Sequence, residues 1–464
     1  MREELQKILR SFDADYIEVR LEEAEAFRLR RRGGKVEEIG TVLSGGGNVR
    51  ALKRGSWGFV TFDFSPAARS EEEILSLLRE KIALAVKAAE LGPESDVKLA
   101  PAEPVVDVVE AEPPKDPFQV PLERKKEIFE EYDDIILSTS GIKTSSIAYS
   151  EARRIVTFAN SEGSYIKQSF CDLTLRITAT ARKGNEVQQA SLSLGSAGDF
   201  GAAEGLQEKV RETAERAVAL LDAPTLRGGE YTVILDPVLG GVFAHEAFGH
   251  LSEADFVYEN EKLREIMVLG RRFGEKILNI IDNPALPGLR GSYKYDDEGV
   301  PASGNYLIKE GVLVGRLHSR ETAAKMGESP TGNARAINHL HPPIVRMSNT
   351  YIEPGEASFE DLISEVKEGV YVRNWRGGTT SMEMFTFSAG EAFMIRNGRV
   401  EELLRPVVLT GNVFFTLREI DAVGNDLQMN QGGGCGKGGQ FPLPVSDGSP
   451  HIRIRRCLIG GEGS

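Results

Sequence analysis

The chain has 464 residues, which at roughly 100–200 residues per domain is enough for about two to four domains with substantial cores. Hydrophobic residues make up 41% of the sequence and charged residues 27%, which excludes disorder over the whole chain and a fibrous rod. The net charge is −14, because 56 Lys and Arg stand against 70 Asp and Glu, and this charge repels a phosphate backbone. We therefore expect a globular protein that does not bind nucleic acid.

The N-terminus and the cysteine content indicate a cytoplasmic protein. The first twenty residues carry charges every few positions and lack the apolar centre of a secretory signal, and no stretch of about 18 apolar residues occurs. Cys171, Cys435 and Cys457 are an odd number of cysteines that cannot form a disulfide framework. We expect no membrane segment, and we expect any special cysteine to be a metal ligand or a nucleophile.

Residues 1–92 are predicted to form a sheet followed by a helix. Between residues 16 and 63, short β-type runs are separated by glycine-rich turns, which is typical of antiparallel strands. Ser70 is suited to cap a helix over 71–91, which has acidic residues in its first turn and apolar residues at helical spacing. This segment is expected to end near Leu91.

A proline-rich connector is predicted at residues 93–121, followed by a second segment at 122–224. Seven of the 21 prolines fall in the connector, which excludes a helix or a central strand there. The second segment combines a charged helix near 122–134, several β-type runs with Asn, Gly and Ser turns, and an amphipathic stretch at 204–223. We expect a second antiparallel sheet with its own helices.

The last predicted domain covers residues 225–464 and is rich in β structure. The strand TVILD leads into a helix candidate at 237–251, where Asp236 is the expected N-cap and Pro237 the first helical residue. A second helix is predicted at 256–269, and short β runs between Gly and Pro turns follow. The whole chain is thus predicted to be α+β, with an N-terminal α/β part of antiparallel sheets and amphipathic helices and a β-rich C-terminal domain.

The first predicted helix of the last domain contains the pattern HExxxH. His245 and His250 flank Glu246. In the commoner HExxH pattern, histidines at i and i+4 bind one metal beside a general-base Glu. Histidines at i and i+5 lie about 140° apart around an ideal helix. A shared metal therefore requires a local distortion, either a π-type bulge or a helix end at Gly249, where glycine supplies conformational freedom.

A catalytic zinc site needs a third protein ligand, because zinc normally takes three such ligands and keeps the fourth position for water. The residues that can supply it are Cys435, Cys457, His318, His339, His341, Glu253 and Asp296. Cys435 lies in QGGGCGKGGQ, where glycines let the backbone approach a crowded centre, and Lys437 is positioned to lower the pKa of its thiol. Cys457 lies in an alternating β run, where a buried apolar role is favoured.

Five separated blocks of the sequence resemble the TldD/PmbA family, in the expected order along nearly the whole chain. The blocks are HEAFGH at 245–250, YDDEG at 295–299, SNTYIEPG at 348–355, LTGN at 409–412 and CGKGGQ at 435–440. Within this family the TldD type is similar to a zinc metalloprotease with HExxxH and a cysteine ligand. The PmbA or TldE type lacks these residues and acts as a partner subunit, whereas the present sequence keeps all of them.

Carried over by motif, the resemblance implies that His245, His250 and Cys435 bind one Zn²⁺ per chain, on a helix of the β-rich domain. It implies that Glu246 is the catalytic acid/base and activates a zinc-bound water. The implied activity is zinc-dependent hydrolysis of unfolded or flexible peptides in an enclosed dimer, either a homodimer or a heterodimer with a PmbA/TldE-type chain.

Two alternatives remain open at the level of sequence. One is a non-catalytic regulatory or partner subunit with a structural metal site, closed by a fourth protein ligand such as Glu253 or His318. The other is a Cys–His hydrolase in which Cys435 is the nucleophile, which requires a free thiol of low pKa.

Overall fold

A computed structural model of the protein describes residues 1–65 and 70–461. In this part of the chain the α-helices are α1 (Arg2–Leu9), α2 (Glu71–Leu91), α3 (Leu122–Ser138), α4 (Gln207–Ala219), α5 (Pro237–Ala244), α6 (Ala254–Glu259), α7 (Glu261–Ile266), α8 (Arg320–Met326), α9 (Phe359–Ser364) and α10 (Val413–Arg418). Short 3₁₀ turns lie at Pro117–Gln119, Phe200–Ala203 and His250–Ser252, and a π-helical turn lies at His245–Gly249.

The strands of the first half of the chain are β1 (Tyr16–Arg32), β2 (Lys35–Lys53), β3 (Ser56–Asp63), β4 (Val106–Val109), β5 (Ile142–Asn160), β6 (Tyr165–Lys183) and β7 (Glu186–Ser196). Those of the second half are β8 (Gly229–Leu235), β9 (Ile280–Asp282), β10 (Asn305–Lys309), β11 (Val312–Leu313), β12 (Ala334–Arg335), β13 (Ile344–Val345), β14 (Asn349–Ile352), β15 (Glu368–Ser381), β16 (Met384–Arg396), β17 (Arg399–Leu404), β18 (Val407–Asn412), β19 (Ile420–Val423), β20 (Gln428–Asn430), β21 (Cys435–Lys437), β22 (Gln440–Leu443), β23 (Ser446–Ser449) and β24 (Ile452–Gly461).

The antiparallel strands predicted for the two N-terminal segments are present, but they form one sheet. Its order is β3-β2-β1-β5-β6, and β4 and β7 both pair with β6. Strand β1 joins the segments, because it pairs with β2 on one side and with β5 on the other over most of its length. The proline-rich stretch adds only β4, which runs parallel to β6 at the edge of the sheet. This edge position agrees with the exclusion of a central strand there.

Helices α1 to α4 cover this sheet and bury two apolar clusters. Helices α1 and α2 enclose one cluster that includes Leu5, Leu78 and Ile82, and α3 and α4 enclose another that includes Phe129 and Val210. As the sequence predicted, α2 begins after Ser70, whose side chain accepts a hydrogen bond from the backbone of the third helical residue in a full capping box.

The C-terminal part of the chain contains a closed ring of strands and a second sheet. Strands β15, β8, β24, β18 and β16 are neighbours in that order, and β16 pairs back with β15. The second sheet has the order β11-β10-β9-β14-β23-β20. Helix α5 follows β8 directly and packs against β23 between the two sheets. The observed architecture is therefore α+β, as predicted.

The second helix predicted for this part differs from the prediction. Instead of one helix at 256–269, the structure has the short helices α6 and α7. Asn260 separates them because its backbone is extended and its side chain accepts a hydrogen bond from the Leu263 N–H, which makes it the N-cap of α7.

Candidate metal centre

The HExxxH motif lies on a distorted continuation of α5. Asp236 begins the helix, since its carboxylate accepts a hydrogen bond of 2.8 Å from the backbone N–H of Leu239. From His245 onwards the helix widens into the π turn, in which the His250 N–H donates to the His245 carbonyl five residues earlier. This is the distortion that the i and i+5 spacing predicted, and it lets both imidazoles face one point.

Gly249 permits this turn for a reason other than the predicted one. Its φ is −57°, an ordinary right-handed helical value, so the conformational freedom expected of this glycine is not used. A Cβ atom at this position would instead lie 2.0 Å from the Sδ atom of Met347, a fully buried side chain. The glycine is therefore required by close packing, and the interpretation of its role from sequence was wrong.

The structure brings His245, His250 and Cys435 together. Their ligand atoms all lie within 4.8 Å of one another, which is a group that can hold a metal ion. The Cys435 Sγ atom is 3.6 Å from His250 Nε2, and the centroids of the two imidazoles are 5.2 Å apart. The His245 Nδ1 atom is buried and has no hydrogen-bond partner among the described residues.

Burial and mutual attraction set the charges of this cluster. Burial alone would raise the pKa of the Cys435 thiol, but the adjacent His245 and His250 lower that pKa well below its usual range. Burial opposes protonation of His250, yet Glu253 and Cys435 raise its pKa well above the usual value. The metal-free cluster therefore favours the thiolate of Cys435, which is the form of cysteine that binds metals, and a metal ion would have to displace the proton that His250 holds.

Glu253 and Lys437, two residues considered from the sequence, lie around His250 and do not join the cluster. The Glu253 Oε2 atom is 3.0 Å from His250 Nδ1 and 3.1 Å from Lys437 Nζ. Burial would raise the pKa of Glu253, but Lys437 and His250 together lower it to about 2. Lys437 also forms an ion pair of 2.6 Å with Asp255. Lys437 was predicted to lower the pKa of the thiol, but it forms ion pairs with two carboxylates instead. Glu253 orients the His250 ring so that its Nε2 atom points towards Cys435.

The other ligand candidates lie away from this group. His318 contacts Thr322 and Glu328, His339 contacts Asp63, His341 contacts Asn338, and Asp296 accepts hydrogen bonds from the backbone of Glu298, Val300 and Ala334. Cys457 is buried in β24, and burial raises the pKa of its thiol to about 12. These residues have structural partners of their own.

Glu246 faces a cavity with a volume of about 490 Å³. His245 and Gly434 line the same cavity, so it opens directly onto the cluster. The opposite wall comes from the N-terminal half of the chain and includes residues 190–193 of β7 and part of α4, among them Glu212. Nothing in the sequence pattern signalled that these distant segments would face the motif.

The comparisons with known proteins identify the family of the chain. Models of the PmbA/TldA metallopeptidase family match domain 1 at residues 17–89, the central domain at 115–221 and the C-terminal domain at 228–461. A protein named as a metalloprotease from Synechocystis sp. is 47% identical over 453 residues, which cover 97% of this chain and 96% of that protein. The chain therefore belongs to the PmbA/TldA metallopeptidase family, and the resemblance inferred from sequence is confirmed.

Two further likenesses concern the type of family member and the fold. A protein named as a zinc metalloprotease TldD homolog from Saccharolobus solfataricus is 35% identical over 325 residues, covering 69% of this chain and 72% of that protein. The crystal structure of TldE from Thermococcus kodakarensis has a TM-score of 0.76 at 18% identity and covers 99% of both chains, so it shares the fold. In the described part of the chain, no helix combines the length and the apolar character needed to cross a membrane.

Proposed function

We propose that this protein is a zinc-dependent metallopeptidase that hydrolyses unfolded or flexible peptides. The observation that carries the proposal is the convergence of His245, His250 and Cys435 beside a carboxylate, Glu246, that faces a 490 Å³ cavity. Relatives across nearly the whole chain are named as metalloproteases, which supports the reaction class.

The donor set fits zinc. Two imidazoles and a thiolate are ligands that Zn²⁺ prefers, and a buried His245 Nδ1 atom without a hydrogen-bond partner is consistent with an environment built for an ion. The group found in the described residues contains three donors. Three protein ligands leave one position open, as in catalytic zinc sites, whereas structural sites are closed by four. This count favours the peptidase over the regulatory subunit.

A zinc ion held there would supply Lewis acidity, which polarises a peptide carbonyl and makes water easier to deprotonate. Glu246 is placed to take the proton of the attacking water and to deliver it to the nitrogen of the leaving amine. Glu253 holds His250 in one orientation through its Nδ1 atom, 3.0 Å away. The Cys–His hydrolase is disfavoured, because its nucleophile would have to reach a substrate. Cys435 is only 2% exposed and is not among the residues that line the cavity, whereas Glu246 is.

The substitution Glu246→Gln tests the proposal. The variant should retain about one zinc per chain by metal analysis, since Glu246 is not a ligand, and should lose peptide cleavage because the amide cannot accept the proton. We expect a loss of about 10²-fold or more in kcat, measured with an unstructured peptide.

The matched control is Glu208→Gln, which removes the same charge from an exposed residue of α4 that is not among the residues lining the cavity. It should keep both zinc and activity. A chelator should abolish cleavage by the parent protein, and added zinc should restore it. A Glu246→Gln protein as active as the parent would contradict the assignment of Glu246.

We also propose that the protein works as a cytoplasmic dimer, either with a second copy of itself or with a TldE-type chain. The fold that this chain shares with TldE supports the second form, in which two chains of the same architecture pair. All three cysteines are free, which is consistent with a reducing compartment. Light scattering of the purified chain, alone and mixed with a TldE-type protein from the same organism, distinguishes the two assemblies.

A further inference from the structure

The segment that precedes Cys435 has little regular structure and is held by side chains from elsewhere. Residues 431–434 lie between β20 and β21 and contain three glycines, so the backbone has no strong local preference. The thiol of Cys435 nevertheless lies 3.6 Å from His250 Nε2. Contacts from other parts of the chain must therefore fix the path of this segment.

Arg290 supplies most of these contacts. Its Nη1 atom donates to the carbonyl oxygens of Gln431 at 2.5 Å and Gly433 at 2.6 Å, and its backbone N–H donates to the Gln431 side chain at 3.0 Å. The carbonyl between them, that of Gly432, accepts a bond of 3.1 Å from the Ser193 hydroxyl on β7. The carbonyl oxygens of three successive residues in the segment before Cys435 thus each accept a hydrogen bond from a side chain.

The guanidinium of Arg290 is itself fixed by the N-terminal half of the chain. Asp172 on β6 accepts from Nε at 2.5 Å and from Nη2 at 3.1 Å, which is a bidentate pair, and the Arg290 side chain is 5% exposed. On β7, a Cβ atom at Gly195 would lie 2.6 Å from Arg290 Cδ and 2.0 Å from the Gln431 oxygen. The bare backbone of Gly195 is what allows this close approach.

The other side of Cys435 is held from within the C-terminal domain. Arg346 is fully buried and donates to the carbonyl oxygen of Cys435 at 2.9 Å. The cysteine is therefore held by one arginine on each side, and Arg290, together with Ser193, connects its segment to the N-terminal half.

We propose that Arg290 is a positioning residue for the metal centre. Fixed by Asp172, it holds the Gln431–Gly433 backbone so that Cys435 meets the two histidines. Completion of the metal site then depends on the docking of β6 and β7 against the C-terminal domain. The inference rests on the proposed function only in taking Cys435 as a metal ligand.

The test uses Arg290→Lys and Asp172→Asn in the full chain, with two readouts. The first is zinc affinity, measured by competition with a chromophoric chelator. Each variant should bind zinc about tenfold more weakly or worse, as is typical when a group that supports a ligand is altered. The second is the rate at which iodoacetamide alkylates Cys435 in the metal-free protein, read by peptide mapping. This rate should rise severalfold, while the rate for the buried Cys457 stays unchanged.

Arg316→Lys is the matched control. Arg316 is 8% exposed and likewise joins a carboxylate, Glu328, to a backbone carbonyl, that of Met267, but outside the cluster. It should change neither readout. If Arg316→Lys weakens zinc binding as much as Arg290→Lys does, or if both test variants match the parent in zinc affinity and in Cys435 alkylation, the proposal is wrong.

The two proposals fail separately. If the proposed function is wrong, the Glu246→Gln protein will be as active as the parent. That result would leave the effect of Arg290 on Cys435 intact. If the parent bound no zinc, the alkylation rates alone would decide whether Arg290 positions the cysteine.

Discussion

The orientation of His250 depends on one buried carboxylate. Glu253 is fully buried and lies 3.0 Å from the His250 Nδ1 atom, so its replacement should weaken the metal site without removing a ligand. We expect Glu253→Gln to lower zinc affinity by about 10- to 100-fold. The neutral amide holds the imidazole ring less firmly than the carboxylate does, and it makes the ring a less basic ligand for the metal. Competition with a chromophoric chelator measures the change.

A second histidine–glutamate pair provides the control for this prediction. His318 Nε2 lies 3.1 Å from Glu328 Oε2 and does not belong to the cluster. Glu328→Gln should leave zinc affinity unchanged. Equal zinc affinities for Glu253→Gln and the parent would show that Glu253 does not support the site.

At the scale of single residues, local spacing predicted two of the three members of the cluster. HExxxH identified His245, His250 and Glu246, because their chemistry is visible within six adjacent positions. The cysteine was one of seven candidates, since its partner His250 is 185 positions away and only the folded chain brings them together. Lys437 was assigned to the thiol because the two are neighbours in sequence, whereas in space it pairs with Asp255.

At the scale of the element, the start of α5 contains a buried acid whose titration should affect stability. Burial raises the pKa of Asp236 from 3.8 to about 6. The folded protein thus holds this proton more tightly than the unfolded chain does. The stability that this protonated carboxyl group contributes is fully present below about pH 4 and is lost as the pH rises towards 6.

We expect the parent to lose on the order of 2–3 kcal/mol of unfolding free energy relative to Asp236→Asn between pH 4 and pH 7. Asparagine keeps a side-chain oxygen for the N-cap but does not titrate. Urea unfolding of the metal-free proteins at both pH values measures the difference. A gap between parent and variant that is the same at both pH values would contradict the prediction.

The elements that could be predicted were those set by local pattern. The distortion at His245–Gly249 followed from a spacing that an ideal helix cannot use, and the cap of α2 followed from Ser70 and its acidic first turn. The fusion of the N-terminal strands into one sheet could not be predicted, because the pairing of β1 with β5 joins residues more than a hundred positions apart. The split between α6 and α7 was missed because Asn260 was not read as a cap.

At the scale of the whole molecule, the proposed peptidase activity makes the position of the cavity a restriction on the substrate. Glu246 faces a space between the C-terminal domain and a wall formed by β7 and α4, with a volume of about 490 Å³. A compact domain cannot place a peptide bond in such a space, whereas a flexible segment can enter it. We expect cleavage of an unfolded variant of a small protein and no cleavage of its folded form. Equal cleavage rates for the two forms would contradict this expectation.

We expect His245, His250 and Cys435 to bind one zinc ion with one coordination position left open. X-ray absorption spectroscopy at the zinc edge tests it directly. The zinc ion should have one sulfur neighbour at about 2.3 Å together with nitrogen or oxygen neighbours at about 2.0–2.1 Å. The sulfur contribution should disappear in Cys435→Ser and persist in Cys171→Ser. A zinc shell without sulfur in the parent, or one that Cys435→Ser leaves unchanged, would show that Cys435 is not a zinc ligand.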